Sequence, residues 1–207
     1  MQRIVSAVLL LAFLIPSAQA GEGGCEEGKT ASVPRVKVER VERAWLEWVN
    51  RLRRRLKLQP YALNDALDRT AAEWSLLSAG KGSMDHKRSQ EAPSYDYKSI
   101  EQWFASRGLT FPNVNRTTFT ENIGWGMYRC TTEDCSSAMV RAIRSTYRSY
   151  LAERTKASKP HYNSMVNPNF TQMGLGIAVN GELGRYYLTL HYATGVRTLL
   201  TQPCTIP

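Results

Sequence analysis

The chain has 207 residues, with 27 Lys and Arg against 18 Asp and Glu for a formal net charge of +9, and 43% hydrophobic residues. That length suits one domain of ordinary size, with a core large enough to fold alone. Beyond the N-terminus no stretch is long and apolar enough to span a membrane, which excludes a multi-pass role.

The first twenty residues read as a cleaved secretory signal. Arg3 supplies the positive start, Ile4 to Ile15 is nearly unbroken apolar sequence, Pro16 breaks it, and Ala18-Gln19-Ala20 gives a small-x-small cleavage pattern. The mature domain is therefore expected outside the cytoplasm, extracellular or periplasmic. There its positive charge favours anionic lipid or cell-envelope polymer, and no nucleic acid is expected. Residues 21–34 form a polar, Gly-rich leader, and residues 35–207 a single domain.

A helix is predicted from about Val36 to Leu58, where Val38, Val41, Trp45, Trp48, Leu52 and Leu56 recur at three- and four-residue steps. Arg51, Arg53, Arg54, Arg55 and Lys57 crowd its last turns, where cations suit the helix dipole, and they form a basic surface cluster. A second helix starts at Asn64 or Asp65, carries Leu67, Ala71, Trp74 and Leu77 on its apolar face, and ends at Gly80. A polar loop over residues 81–97 holds His86, and a short helix follows from Ser99 to Arg107. Thr118 to Tyr128 reads as a strand, and Ser136 to about Glu153 as a third long helix with Met139, Val140, Ile143, Tyr147 and Leu151 on one side. Phe170 to Val179 and Tyr186 to Ala193 read as strands of a hairpin turning near Asn180-Gly181. Helices early and a hairpin late give an α+β domain with an antiparallel sheet.

Four cysteines in an exported chain suggest two disulfides. Of the three pairings, the spacing favours Cys130 with Cys135, which leaves Cys25 and Cys204 to tie the two ends. The chain has three histidines. His86, in Met-Asp-His-Lys-Arg, and His161, in Lys-Pro-His-Tyr-Asn-Ser-Met, stand in polar loops. Glu121 opens Glu-Asn-Ile-Gly-Trp-Gly in a strand otherwise short of charge, where a buried carboxylate needs a partner. Two loop histidines and a strand glutamate could bind a divalent metal such as Zn²⁺ or share protons. His191, next to Tyr192 in the last strand, reads as a hydrogen-bonded structural residue. Asn115-Arg116-Thr117 is a glycosylation acceptor in a host that glycosylates.

Several runs together resemble the CAP superfamily of cysteine-rich secretory, antigen-5 and pathogenesis-related proteins, in its bacterial form. They are Trp48-Val49-Asn50-x-x-Arg53, Leu63-x-x-Ala66-Leu67-x-x-x-Ala71, His86, Thr120-Glu121-Asn122-Ile123-Gly124-Trp125-Gly126, and His161-Tyr162-Asn163 through Asn167-Pro168 to Gly174-x-Gly176. The resemblance implies an α-β-α sandwich with a central antiparallel sheet between helical layers. It also implies a cleft where two histidines, His86 and His161, meet Glu121 and a second glutamate. The helical position for that glutamate maps onto Ser149, so the set looks incomplete, with Glu153 one turn later as a substitute. No Gly-x-Ser-x-Gly or His-Glu-x-x-His run is present, so the sequence favours binding over catalysis. The expected ligand is a lipid, sterol or cell-envelope molecule, taken with or without a divalent cation. The alternative is a secreted hydrolase using His86 or His161 with Glu121. The sequence assigns no oligomeric state.

Overall fold

The computed structural model describes residues 33–89, 94–112 and 118–199. The signal segment, nearly all of the leader, Asn115 and the Cys25–Cys204 pair lie outside the described residues.

In chain order the elements are α1 (Val38–Arg55), β1 (Ala62–Leu63), α2 (Asp65–Lys81), α3 (Tyr97–Ala105), β2 (Leu109–Thr110), β3 (Phe119–Met127), α4 (Ser136–Ala152), α5 (Pro160–Val166), β4 (Gln172–Asn180), β5 (Arg185–Ala193) and β6 (Arg197–Thr198). The main sheet runs β1-β4-β5-β3. Its three long strands are antiparallel: β4 and β5 pair from Gln172↔Ala193 to Asn180↔Arg185, and β3 pairs with β5 from Phe119↔Ala193 to Met127↔Arg185. The central sheet is antiparallel as expected, and at one edge two-residue β1 runs parallel to β4. The long connection between them imposes no hairpin and so leaves their sense free.

Strand alternation divides the core into two layers. Tyr186, Leu188, Leu190 and Tyr192 of β5 face Val41, Trp45 and Val49 of α1, Met139 and Ile143 of α4, and Met165 of α5. On the opposite face lies α2. A Cβ on Gly174 would stand 2.2 Å from the Leu67 backbone, and one on Gly176 2.0 Å from Ala71, so the two glycines let the helix rest on the sheet backbone. Leu67, Ala71 and Trp74 of the predicted apolar face are buried, with Ser75 and Ser78 beside them; the correction is Leu77, which is exposed together with Leu76. Asn64 caps α2 by accepting from the backbone N–H groups of Ala66 and Leu67. The helix ends at left-handed Gly82 (φ 67°), and Gly80 stays inside its last turn.

A second correction concerns the basic cluster. Arg53 is fully buried. Its guanidinium donates to the carbonyls of Gln59, Met165, Asn167 and Phe170 at 2.6–3.1 Å and lies 3.8 Å over the Tyr61 ring. It gathers the loops around α5 onto α1. Arg51, Arg54, Arg55 and Lys57 remain exposed. Cys130 and Cys135 form the predicted disulfide, with Cα atoms 5.8 Å apart.

Candidate functional site

At the end of the sheet near the start of β3, consecutive residues serve opposite faces. Glu121 points to the α2 side and Asn122 to the α5 side. The Asn122 amide donates to the His161 carbonyl at 3.1 Å and ties the start of α5 to the sheet. The Glu121 side chain is completely buried, and both its oxygens are filled. Oε1 accepts from His86 Nδ1 at 2.8 Å and from Arg88 Nη1 at 3.3 Å; Oε2 accepts from His191 Nε2 at 2.8 Å and from Arg88 Nη2.

Burial alone would push the Glu121 carboxyl up. The hydrogen bonds from His191 and His86 and the Arg88 charge outweigh it and hold the group well below the usual carboxylate range. Arg88 is itself sandwiched, 3.5 Å from the Trp74 ring and 4.5 Å from that of Trp103. Burial lowers the His191 pKa and keeps that imidazole neutral. With Nε2–H donated to ionised Glu121, its Nδ1 must accept, and the Thr70 hydroxyl stands 3.0 Å away to donate. His191 is thus the structural residue expected, and it also supports the glutamate of the cleft.

His161 has its own carboxylate. The chain leaves α4 through a 3₁₀ turn, Glu153–Thr155, which swings Glu153 back over the start of α5. Its Oε2 accepts the backbone N–H groups of His161 and Tyr162 at 3.1 and 3.3 Å, and its Oε1 meets His161 Nδ1 at 2.7 Å. Ser149, at the position where the second glutamate was sought, is exposed. The carboxylate that meets His161 is Glu153, one turn later. The His161 ring stacks parallel on Tyr150 at 4.4 Å, with the Tyr150 hydroxyl anchored to the Ile123 carbonyl at 2.6 Å.

His86, Glu121 and His161 therefore meet in one open cleft of about 530 Å³, together with Tyr95, Asn163 and Phe170. The two imidazoles are 20% and 29% exposed. Each is fixed at Nδ1, and among the described residues neither Nε2 makes a hydrogen bond. Tyr95 closes one wall: its ring lies 4.7 Å from His86, and its hydroxyl accepts the Glu121 N–H at 3.2 Å. Burial pushes that phenol well up, so it stays protonated.

Residues 46–192 match the cysteine-rich secretory protein family, CAP. The chain belongs to that family. Among curated proteins none matches it. The CAP fold recurs in solved structures at low identity. An outer surface protein of Borrelia burgdorferi is 11% identical with a TM-score of 0.54, over 76% of this chain and 95% of that one. BmVAL-1 is 14% identical with a TM-score of 0.50, over 78% and 81%. A cysteine-rich secretory protein of Staphylococcus aureus is 15% identical with a TM-score of 0.46, over 75% of this chain but 38% of its own.

The CAP cleft does not offer a dedicated metal centre in its donor set. Both carboxylates are spent on histidines and backbone, and among the described residues no three His, Cys, Asp or Glu side chains are disposed to share an ion. Two imidazole Nε2 atoms are left, one fewer than the three protein ligands of an open zinc site. Arg88 was not singled out in the sequence, whereas Glu153 was, as the substitute one turn beyond Ser149. The run His86-Lys87-Arg88 carried the only hint of the former, a cation two residues from a site histidine.

Proposed function

We propose that this CAP domain is exported and that its cleft binds the polar group of a lipid, sterol or cell-envelope ligand between His86 and His161. The observation that carries the reading is the matched pair of carboxylate-held imidazoles. Glu121 and Glu153 each fix one ring, so two Nε2 edges are presented to a single space without the cost of ordering them on binding. The cleft volume falls in the range of ~300–1,000 Å³ usual for small-molecule sites. Export is supported by the N-terminal pattern from Arg3 to Ala20 and by the Cys130–Cys135 disulfide. Among the described residues no helix is long and apolar enough to cross a membrane.

The same imidazole–carboxylate pairs favour a second reading, water-using hydrolysis with His86 or His161 as general base. One screen separates the two. Phosphatidylglycerol micelles, cholesterol and soluble peptidoglycan fragments are titrated into wild type, His86→Gln and His161→Gln, and mass spectrometry follows the ligand. Binding by wild type that weakens about tenfold in each variant, with the ligand intact, supports the reading. Equal binding by all three overturns it, and ligand cleavage by wild type alone replaces it with the hydrolase. Zn²⁺ in the same titration is expected to bind weakly, through the two imidazoles, and to be lost in either variant.

A further inference from the structure

A smaller pocket of about 240 Å³ lies on the α2 side of the sheet, at the opposite end of β3 and β5 from Glu121. Gly82, Ser83, Met84, Trp125, Arg185 and Tyr187 line it, and it shares no residue with the cleft. Trp125 is four residues along β3 from Glu121, about 14 Å at ~3.4 Å per residue. Its formation follows from register. Trp125 pairs with Tyr187 and Met127 with Arg185, so all four side chains emerge on one face, where α2 has just ended at Gly82.

The polar groups in this pocket lack partners. The Tyr187 side chain is buried, yet its hydroxyl makes no hydrogen bond among the described residues, and neither does the buried Nε of Arg185. No described carboxylate pairs with the Arg185 guanidinium, which lies 4.4 Å over the Trp125 ring. Buried donors are normally satisfied, and each one left bare costs free energy. Both bare groups can donate, and one carries a positive charge. Trp125 is 48% exposed beside them, with exposed Met127 on the next inward position of the strand. Donors without acceptors, a free cation and an uncovered apolar rim together describe a receptor for an oxyanion on an apolar body. A guanidinium can hold a carboxylate or phosphate by two parallel bonds.

We propose that this pocket is a second ligand site, which takes a carboxylate or phosphate group carried on a flat or apolar body. Arg185 supplies the charge, the Tyr187 hydroxyl a further donor, and Trp125 the packing surface. The site does not depend on the function proposed for the cleft.

Benzoate, phenyl phosphate and neutral benzamide are titrated while the Trp125 indole resonance is followed by NMR. Benzoate or phenyl phosphate should shift it, the tighter of the two identifying the preferred oxyanion, and benzamide should not. Arg185→Gln should weaken binding by about tenfold, the loss of a charge-assisted contact. Tyr187→Phe should weaken it a few-fold while thermal stability stays equal or rises, because the deleted hydroxyl had no partner. That combination is not expected of a residue with a merely structural role. His86→Gln should leave binding unchanged. The proposal is overturned if neither anion moves the resonance, if benzamide binds as well as benzoate, or if both pocket variants bind like wild type. It also falls if binding is lost in His86→Gln and kept in Arg185→Gln.

Discussion

Asp68 sits on the sheet side of α2, where its Oδ1 accepts the Leu175 N–H at 2.7 Å. Burial raises its pKa to about 6, against the pull of that hydrogen bond; burial and the charges of Asp68, Glu39 and Asp65 raise Glu42 to about 7. Both groups bind a proton more tightly folded than unfolded. Their contribution to stability is therefore complete below the unfolded carboxylate range and is lost as pH climbs from about 4 to about 7. Glu121 acts in the opposite sense, since its depressed pKa favours the fold until far into acid. Asp68→Asn keeps the acceptor for Leu175 and removes the charge. Its melting temperature should match wild type near pH 4 and exceed it near neutrality; melting curves across that interval with no such divergence would refute the assignment. Single residues were legible in the sequence where their chemistry was singular. His86 and His161 stood out as two of only three histidines, set in polar loops, and Glu121 as a carboxylate in a strand otherwise short of charge. Arg53 did not, being one basic residue among five. Its place in the series Val41, Trp45, Val49, Arg53, each one turn on and each buried, was the signal that could have separated it.

Among the elements, α2 and β4 form the closest contact, through Gly174 and Gly176. A methyl group on Gly176 would meet Ala71 and Ala72 backbone atoms at about 2 Å, and backbone cannot rotate away as a side chain can. Gly176→Ala should therefore cost several kcal/mol, on the order of 3, as an overpacked core does. A chemical denaturation midpoint within error of wild type would show that the layers can part freely. The order of the main helices and long strands followed from periodicity and turn chemistry, with errors of a few residues at their ends. Two features could not follow. The small-residue face of α2 is set by its distance from the sheet, which no local pattern encodes. The return of the chain after α4, which brings the backbone at the start of α5 against Glu153, depends on the connection between the two helices, and no local pattern encodes it.

For the molecule as a whole, net charge and the exposed Arg51, Arg54, Arg55 and Lys57 predict adsorption to anionic surfaces. Arg53 is excluded from that role by burial. Cosedimentation with phosphatidylglycerol vesicles should be strong in dilute buffer and fall several-fold in ~1 M salt, where charges are screened within ~3 Å. Arg54→Glu with Arg55→Glu should reduce it at low salt without lowering the melting temperature by more than about 1 °C, since surface substitutions seldom move stability by more than ~0.5 kcal/mol. Adsorption indifferent to both salt and the double substitution would remove the basic end of α1 as the contact.

The Glu121 junction has a consequence for how the domain breathes. One carboxylate holds the loop of His86 and Arg88 and, through His191, reaches Thr70 in α2. Loop, strand and helix should therefore open together, in a single sub-global event, rather than as separate local fluctuations. A ligand that tightens the grip of His86 on Glu121 would slow amide exchange in the α2 turn around Thr70, a segment outside the cleft lining.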